Sequence, residues 1–396
     1  MTLYSDIWRL PGPSRFIQEA ARLARAGQHV LLVVPKRIAE NDEYTDALVV
    51  TLAAELDDCR RVYPGPSHAG LAGAIGFELS SDFDAYPTTV PDLLISEDFA
   101  GRVAVCRSAD LDAEHLQELP RFLARLDTES RSVPASQRGT MVFVVSQDLL
   151  PADADSPATA RLWFWNRIAR WDVAALLASR HPPREAGDIT EEVRLETIVE
   201  LVRWDLELAL EVASEWAATE PIEAALSKIP KLDGTQLTTR RASGRPQPPE
   251  ALLAYWNDGI VESWHGEVGY MPAALPQTSD RLERLTWSAQ ARVLLPWIEV
   301  RRVRIEQIVR QKLGPTKFNS AVEALATRYP GSVEDTSIIE VALLARIIAV
   351  RFGNTEPRLR STAISLRDAR NKLAHLVPIA APTLTQMVAE SSWLDG

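Results

Sequence analysis

Two short runs, Val30-Leu31-Leu32-Val33-Val34 and Met141-Val142-Phe143-Val144-Val145, constrain the first half of the chain most. Both are apolar at consecutive positions rather than alternate ones, as in a strand covered on both faces. Leu10-Pro11-Gly12-Pro13-Ser14 reads as a turn leading into a helix over Arg15–Ala26, which Gly27 is placed to end. Glu43–Arg61 and Ala113–Leu126 read as helices, with a further strand at Arg102–Cys106. Strands alternating with helices point to a parallel α/β sheet, assigned to residues 1–182.

The rest of the chain reads as helical. Arg161–Ser179 has helical spacing, and its Trp163, Trp165 and Trp171 suit packing better than base stacking. Pro182-Pro183 and Gly187 mark a boundary, after which Asp188 can cap one long helix over Ile189–Ala217, within a helical segment 188–233. Residues 234–249, polar and rich in proline and arginine, read as a linker or exposed loop. Residues 250–396 read as helical: Glu250–Val268, a long helix from Ser279 or Asp280 to Leu313 that Pro296 should kink or divide, then Phe318–Thr327 and Ser337–Phe352. A final amphipathic helix lies between Pro357 and Pro378. The last four make an antiparallel helical bundle over about residues 280–392. The expected fold class is thus α/β plus all-α.

Charge divides along the same line. Residues 281–396 hold 17 Lys+Arg and 11 Asp+Glu, against 26 and 43 in residues 1–280, so a part of +6 follows one of −17. A basic C-terminal part fits a nucleic-acid site confined to it, and equally fits well-solvated arginine-rich helices. Two cysteines, Cys59 and Cys106, supply neither a disulfide framework nor a zinc site. With no signal peptide and no membrane-spanning run, a cytoplasmic protein is expected.

The chemistry-bearing stretch is Arg367-Asp368-Ala369-Arg370-Asn371-Lys372-Leu373-Ala374-His375-Leu376. Leu359, Ala363, Leu366, Leu373 and Val377 mark one face, and Arg370 falls on that apolar arc, where it must find a partner or line a cleft. Glu340, on an otherwise apolar helix, is a candidate partner, with a merely solvent-facing glutamate the favoured alternative. Asn371 and His375, one turn apart, share a second face. A fixed cation, an amide and a titratable imidazole together could surround a phosphate.

Arg370-Asn371, three residues, then His375 resembles the Arg–polar–x3–His motif of the HEPN family, which sits on the last core helix of a small helical bundle. The resemblance spans roughly Asp280–Ser392. It implies a metal-independent endoribonuclease acting as a homodimer on RNA, of the kind found in toxin–antitoxin and antiphage systems. Arg370, Asn371 and His375 would be its catalytic residues, with no cofactor and no metal. The ribose 2′-OH would attack its own 3′-phosphate, His375 would move the proton, Arg370 would neutralise the phosphorane, and Asn371 would orient the phosphate or His375. One imidazole for two proton transfers favours a dimer; the cleavage would be held in check or targeted by the N-terminal domain, and a regulatory protein partner is also compatible. The competing expectation is a non-catalytic HEPN-like dimerisation or partner-binding subunit.

The N-terminal part weakly resembles a degenerate P-loop NTPase core. After Val34 the chain reads Pro35-Lys36-Arg37-Ile38-Ala39. Without glycines there, the backbone N–H groups cannot wrap a phosphate. Asp148, after the third expected strand, stands where a metal-binding acid might, although a loop aspartate is more often a turn or cap residue.

Overall fold

A computed structural model describes residues 3–56, 58–66, 69–82, 85–150, 158–182, 188–217, 226, 240–241, 246–275, 278–328 and 339–395. The first apolar run forms β1 (His29–Val33), fully buried, and the second forms β4 (Thr140–Val145), buried likewise. With β2 (Cys59–Arg61), β3 (Val103–Arg107) and β5 (Thr159–Trp163) they make a five-stranded sheet in the order β2-β3-β4-β1-β5. All its pairings are parallel, with Val30 opposite Val142 and Ala160. Covered strands need consecutive apolar residues, and the central β1 and β4 have them, whereas the edge strand β2 is Cys59-Arg60-Arg61 and only half-buried.

The connecting helices are α1 (Leu3–Trp8), α2 (Pro11–Arg25), α3 (Lys36–Ala39), α4 (Asp42–Glu55), α5 (Gly70–Leu79), α6 (Val90–Ile95), α7 (Ala113–Ser130) and α8 (Arg170–Arg180). Asn41, Thr89 and Asp112 cap α4, α6 and α7 by accepting backbone N–H bonds. Helices α1, α2 and α4 pack together, as do α5, α6 and α7. His29 fastens the sheet: its Nδ1 accepts from the Met141 N–H at 3.0 Å, so its Nε2 carries the proton and donates to Ser130 Oγ at 2.7 Å. Burial, then the nearby Arg138, pushes the His29 pKa down to about 3.

Further along, α9 (Ile189–Val202) and α10 (Leu206–Glu215) are separated at Arg203, whose φ is 52°. One long helix over Ile189–Ala217 was expected, and a left-handed residue cannot continue it. Next come β6 (Arg240–Arg241), α11 (Leu253–Asn257), β7 (Val261–Trp264) and β8 (Glu267–Tyr270), whose strands form a second, antiparallel sheet ordered β6-β8-β7. These belong to the same compact unit as the parallel sheet.

The second unit contains α9, most of α10, α12 (Ser279–Leu313), α13 (Pro315–Arg328), α14 (Val341–Arg351), α15 (Pro357–Ala374) and α16 (Ala381–Ser391). Its core joins Ile189 and Val193 to Leu294, Ile298, Ile305, Leu344, Ile348, Leu366 and Leu373. Helix α12 runs antiparallel to α15. Trp287, near the start of α12, bonds Leu373 at the end of α15, whereas Lys312, near the end of α12, pairs with Glu356 just before α15 at 2.6 Å. Helix α12 passes through Pro296 as a single element, absorbing the one backbone bond that proline cannot make.

Three expected helices are corrected. Arg161–Ser179 contains strand β5 before α8, Glu43–Arg61 ends in the edge strand β2, and Glu250–Val268 holds only the short α11 before β7 and β8. Aromatic residues fit a strand as well as a helix, and Trp163 lies where β5 pairs with β1. Of the expected boundary and linker, residues 183–187 and most of 234–249 lie outside the described residues.

Candidate functional site

Helix α15 positions the motif. Leu359, Ala363, Leu366 and Leu373 are buried as their spacing requires, but Val377 is 47% exposed because the helix stops at Ala374. His375 is its C-cap. Leu376 takes a left-handed φ of 61°, its N–H bonds the Leu373 carbonyl, and the Val377 N–H bonds the Lys372 carbonyl at 2.9 Å. This is a Schellman closure with leucine where glycine is usual. Gln290 clamps the chain just beyond: its Nε2 donates to the Ile379 carbonyl at 2.8 Å, and its Oε1 accepts the Ile379 N–H at 2.6 Å.

Asn371 and His375 share an exposed face, one turn apart, with Lys372 beside them. Among the described residues, none of these three side chains has a hydrogen-bond or ion-pair partner. Arg370 is not buried on the apolar arc: its side chain is 42% exposed, and its Nη2 lies 3.4 Å from Glu340 Oε1, itself 55% exposed. Glu340 precedes α14 rather than lying within it, and makes no capping bond. The pair is a loose surface contact, worth about 0–1 kcal/mol. The arrangement therefore offers two cations, an amide and an imidazole around the end of one helix. An anion there is disfavoured by the helix C-terminus by about 0.3–1 kcal/mol. An exposed pair of opposite charges contributes about 0–1 kcal/mol, so the two cations together are needed to offset that.

In the parallel-sheet unit, the stretch after β1 is occupied by the protein itself. Lys36 pairs with Glu40 at 3.5 Å, and Arg37 donates to Asp205 at 2.9 Å. Gly259 has no Cβ, and the Arg37 guanidinium lies where one would stand. Asp148 sits in a short 3-10 turn after β4. Among the described residues no group of three or more His, Cys, Asp or Glu could hold a metal ion.

One acid went unnoticed in the sequence. Glu262 on β7 is 5% exposed, and its Oε1 accepts the Asn166 and Ser263 N–H groups at 2.7 and 2.9 Å. Its Oε2 accepts the Trp256 indole N–H at 3.1 Å. Burial pushes its pKa up to about 7 against the pull of these bonds and of Arg37. It ties the β7–β8 hairpin to the segment after β5. His265-Gly266, where both residues have positive φ, is the turn of the β7–β8 hairpin; it could have signalled the hairpin, though not the burial of Glu262.

No described helix is long and apolar enough to cross a membrane. No protein-family model matches the chain, and no curated protein matches it in sequence.

Proposed function

We propose that the helical unit cleaves RNA without a metal, in the manner of the HEPN ribonucleases that its motif resembles, as a cytoplasmic effector. The observation that carries this reading is the group at the end of α15: Asn371, Lys372 and His375 exposed without side-chain partners, next to a loosely held Arg370. Exposed and solvated, these side chains are available to a ligand. In the reaction, His375 takes the 2′-OH proton or delivers one to the leaving 5′-oxygen, with a second copy supplying the other imidazole. Arg370 leaves Glu340 for the phosphorane, with Lys372 and Asn371 holding the flanking phosphate. The test is incubation of the full chain with total RNA in chelator. Fragments ending in 2′,3′-cyclic phosphate, absent with His375→Ala, support it; intact RNA across varied substrates rejects it.

The second reading, a dimerisation or partner-binding surface without catalysis, is favoured by one observation. Leu376 and Val377, beside the motif, are 64% and 47% exposed. Apolar side chains adjoining a polar cluster are typical of contact surfaces.

A further inference from the structure

Helix α5 and the segments flanking it wall a surface cavity of about 560 Å3 in the parallel-sheet unit. That is ample for a small ligand. Pro66, Ala69 and Ala74 supply apolar walls. Phe77 and Tyr86 also line it and meet edge to face, with centroids 5.3 Å apart and planes at 81°. Their meeting depends on Gly76, because the Pro87 carbonyl lies where a Cβ on residue 76 would stand. Only glycine lets the segment carrying Tyr86 close onto α5.

Glu78 is the charged residue of the lining among the described residues. Among the described residues its carboxylate has no hydrogen-bond or ion-pair partner. It stands in the last turn of α5, which ends at Leu79, so the partial negative charge of the helix C-terminus adds to its own. In the edge-to-face pair one ring's edge covers a face of the other, and a ring face left uncovered attracts a cation. An anion is disfavoured by the Glu78 carboxylate and by the helix C-terminus, and a neutral apolar ligand offers Glu78 no compensating partner.

We infer that this cavity binds a small alkylammonium group, with the charge held by Glu78 and the aromatic pair and the alkyl portion against Pro66 and the alanines. The site is independent of the motif on α15. The test titrates the full chain with choline and with n-butylammonium by saturation-transfer NMR, the two arms separating a quaternary from a primary amine. The uncharged isostere 3,3-dimethylbutan-1-ol serves as control. At least one cation should bind, and the neutral alcohol should bind about tenfold more weakly. Glu78→Gln, at an exposed position and checked by circular dichroism, should weaken the cation by roughly fivefold or more, and Tyr86→Leu by a comparable factor. Absence of binding by both cations, equal binding of the neutral alcohol, or an affinity unchanged in both variants would overturn the assignment.

Discussion

The indole N–H of Trp287 donates to the carbonyl of Leu373 at 2.7 Å, so the first part of the long helix α12 holds the end of α15 that carries the motif. Leu373 lies between Asn371 and His375, and its carbonyl also takes the Leu376 N–H that closes the helix. The carbonyls of a final helical turn lack intrahelical partners. Here a partly buried neighbour supplies one, fixing where the helix stops and thus where His375 stands.

Replacing Trp287 by Phe keeps most of the apolar contact and removes this bond. The expected cost is about 1 kcal/mol, read as a lower urea midpoint with unchanged slope. Faster amide exchange should be confined to residues 373–377. A uniform loss of protection would show that the bond supports the whole bundle instead.

The two motif variants should separate chemistry from stability. Exposed His375 and the loose Arg370–Glu340 contact contribute little to folding, so His375→Ala and Arg370→Ala should each cost under about 1 kcal/mol. In the catalytic reading each should lower RNA cleavage by on the order of 100-fold or more. Cleavage by the His375→Ala protein at wild-type rate would remove the motif from the chemistry.

His29 and Glu262 make opposing contributions to stability against pH. His29 has a pKa near 3 folded and 6.5 unfolded, so its contribution is complete above 6.5 and is lost as pH falls toward 3. Glu262 has a pKa near 7 folded and 4.5 unfolded, so its contribution is complete below 4.5 and is lost as pH rises through 7. Between about 4.5 and 6.5 the two slopes, each at most about 1.4 kcal/mol per pH unit, largely cancel. Urea titrations of the parallel-sheet unit's unfolding should therefore reveal a slope only in the variants. Glu262→Gln should leave stability rising with pH, and His29→Asn should leave it falling. Parallel profiles for wild type and both variants would contradict this.

These groups also show what the sequence could reveal. The central strands β1 and β4 were legible because burial on both faces demands uninterrupted apolar runs. The apolar face of α15 was legible from Leu359, Ala363, Leu366 and Leu373. Its end was not: no glycine marks it, because Leu376 takes the left-handed position, and Pro378 comes later. Pro11-Gly12-Pro13, read as a turn, is the first turn of α2, where proline costs no backbone bond. Glu262 was missed because Trp256 and Trp264 suggested helical packing, and of its three N–H donors Ser263 is its neighbour in sequence, whereas Asn166 is brought to it by tertiary structure.

Nucleotide binding after β1 should be weak or absent. Lys36 and Arg37 already have Glu40 and Asp205, and the Lys36 N–H points to Asn257 Oδ1 at 3.4 Å. A phosphate would have to displace these groups without the glycine-lined backbone that usually holds it. Calorimetry with Mg–ATP should give no binding at micromolar concentrations. Micromolar affinity abolished by Lys36→Ala would refute this.

Leu376 offers a test in which stability and association move in opposite directions. A left-handed backbone costs a non-glycine residue about 1–2 kcal/mol, and glycine removes that strain. Glycine also loses about 0.5–1 kcal/mol of extra backbone freedom on folding, so Leu376→Gly should be net stabilising by about 0–1.5 kcal/mol. With its side chain 64% exposed, Leu376 contributes little burial within one chain to offset the gain. If Leu376 and Val377 form part of a contact between two copies, the same substitution removes apolar area from that contact. The expected result is a higher midpoint in dilute urea titrations together with weaker self-association by analytical ultracentrifugation. RNA cleavage that depends on paired motifs should then fall at low protein concentration and recover at high concentration. A stabilised variant with unchanged association would place any contact between copies elsewhere, and a destabilised one would show that Leu376 is held by packing rather than by the helix closure alone.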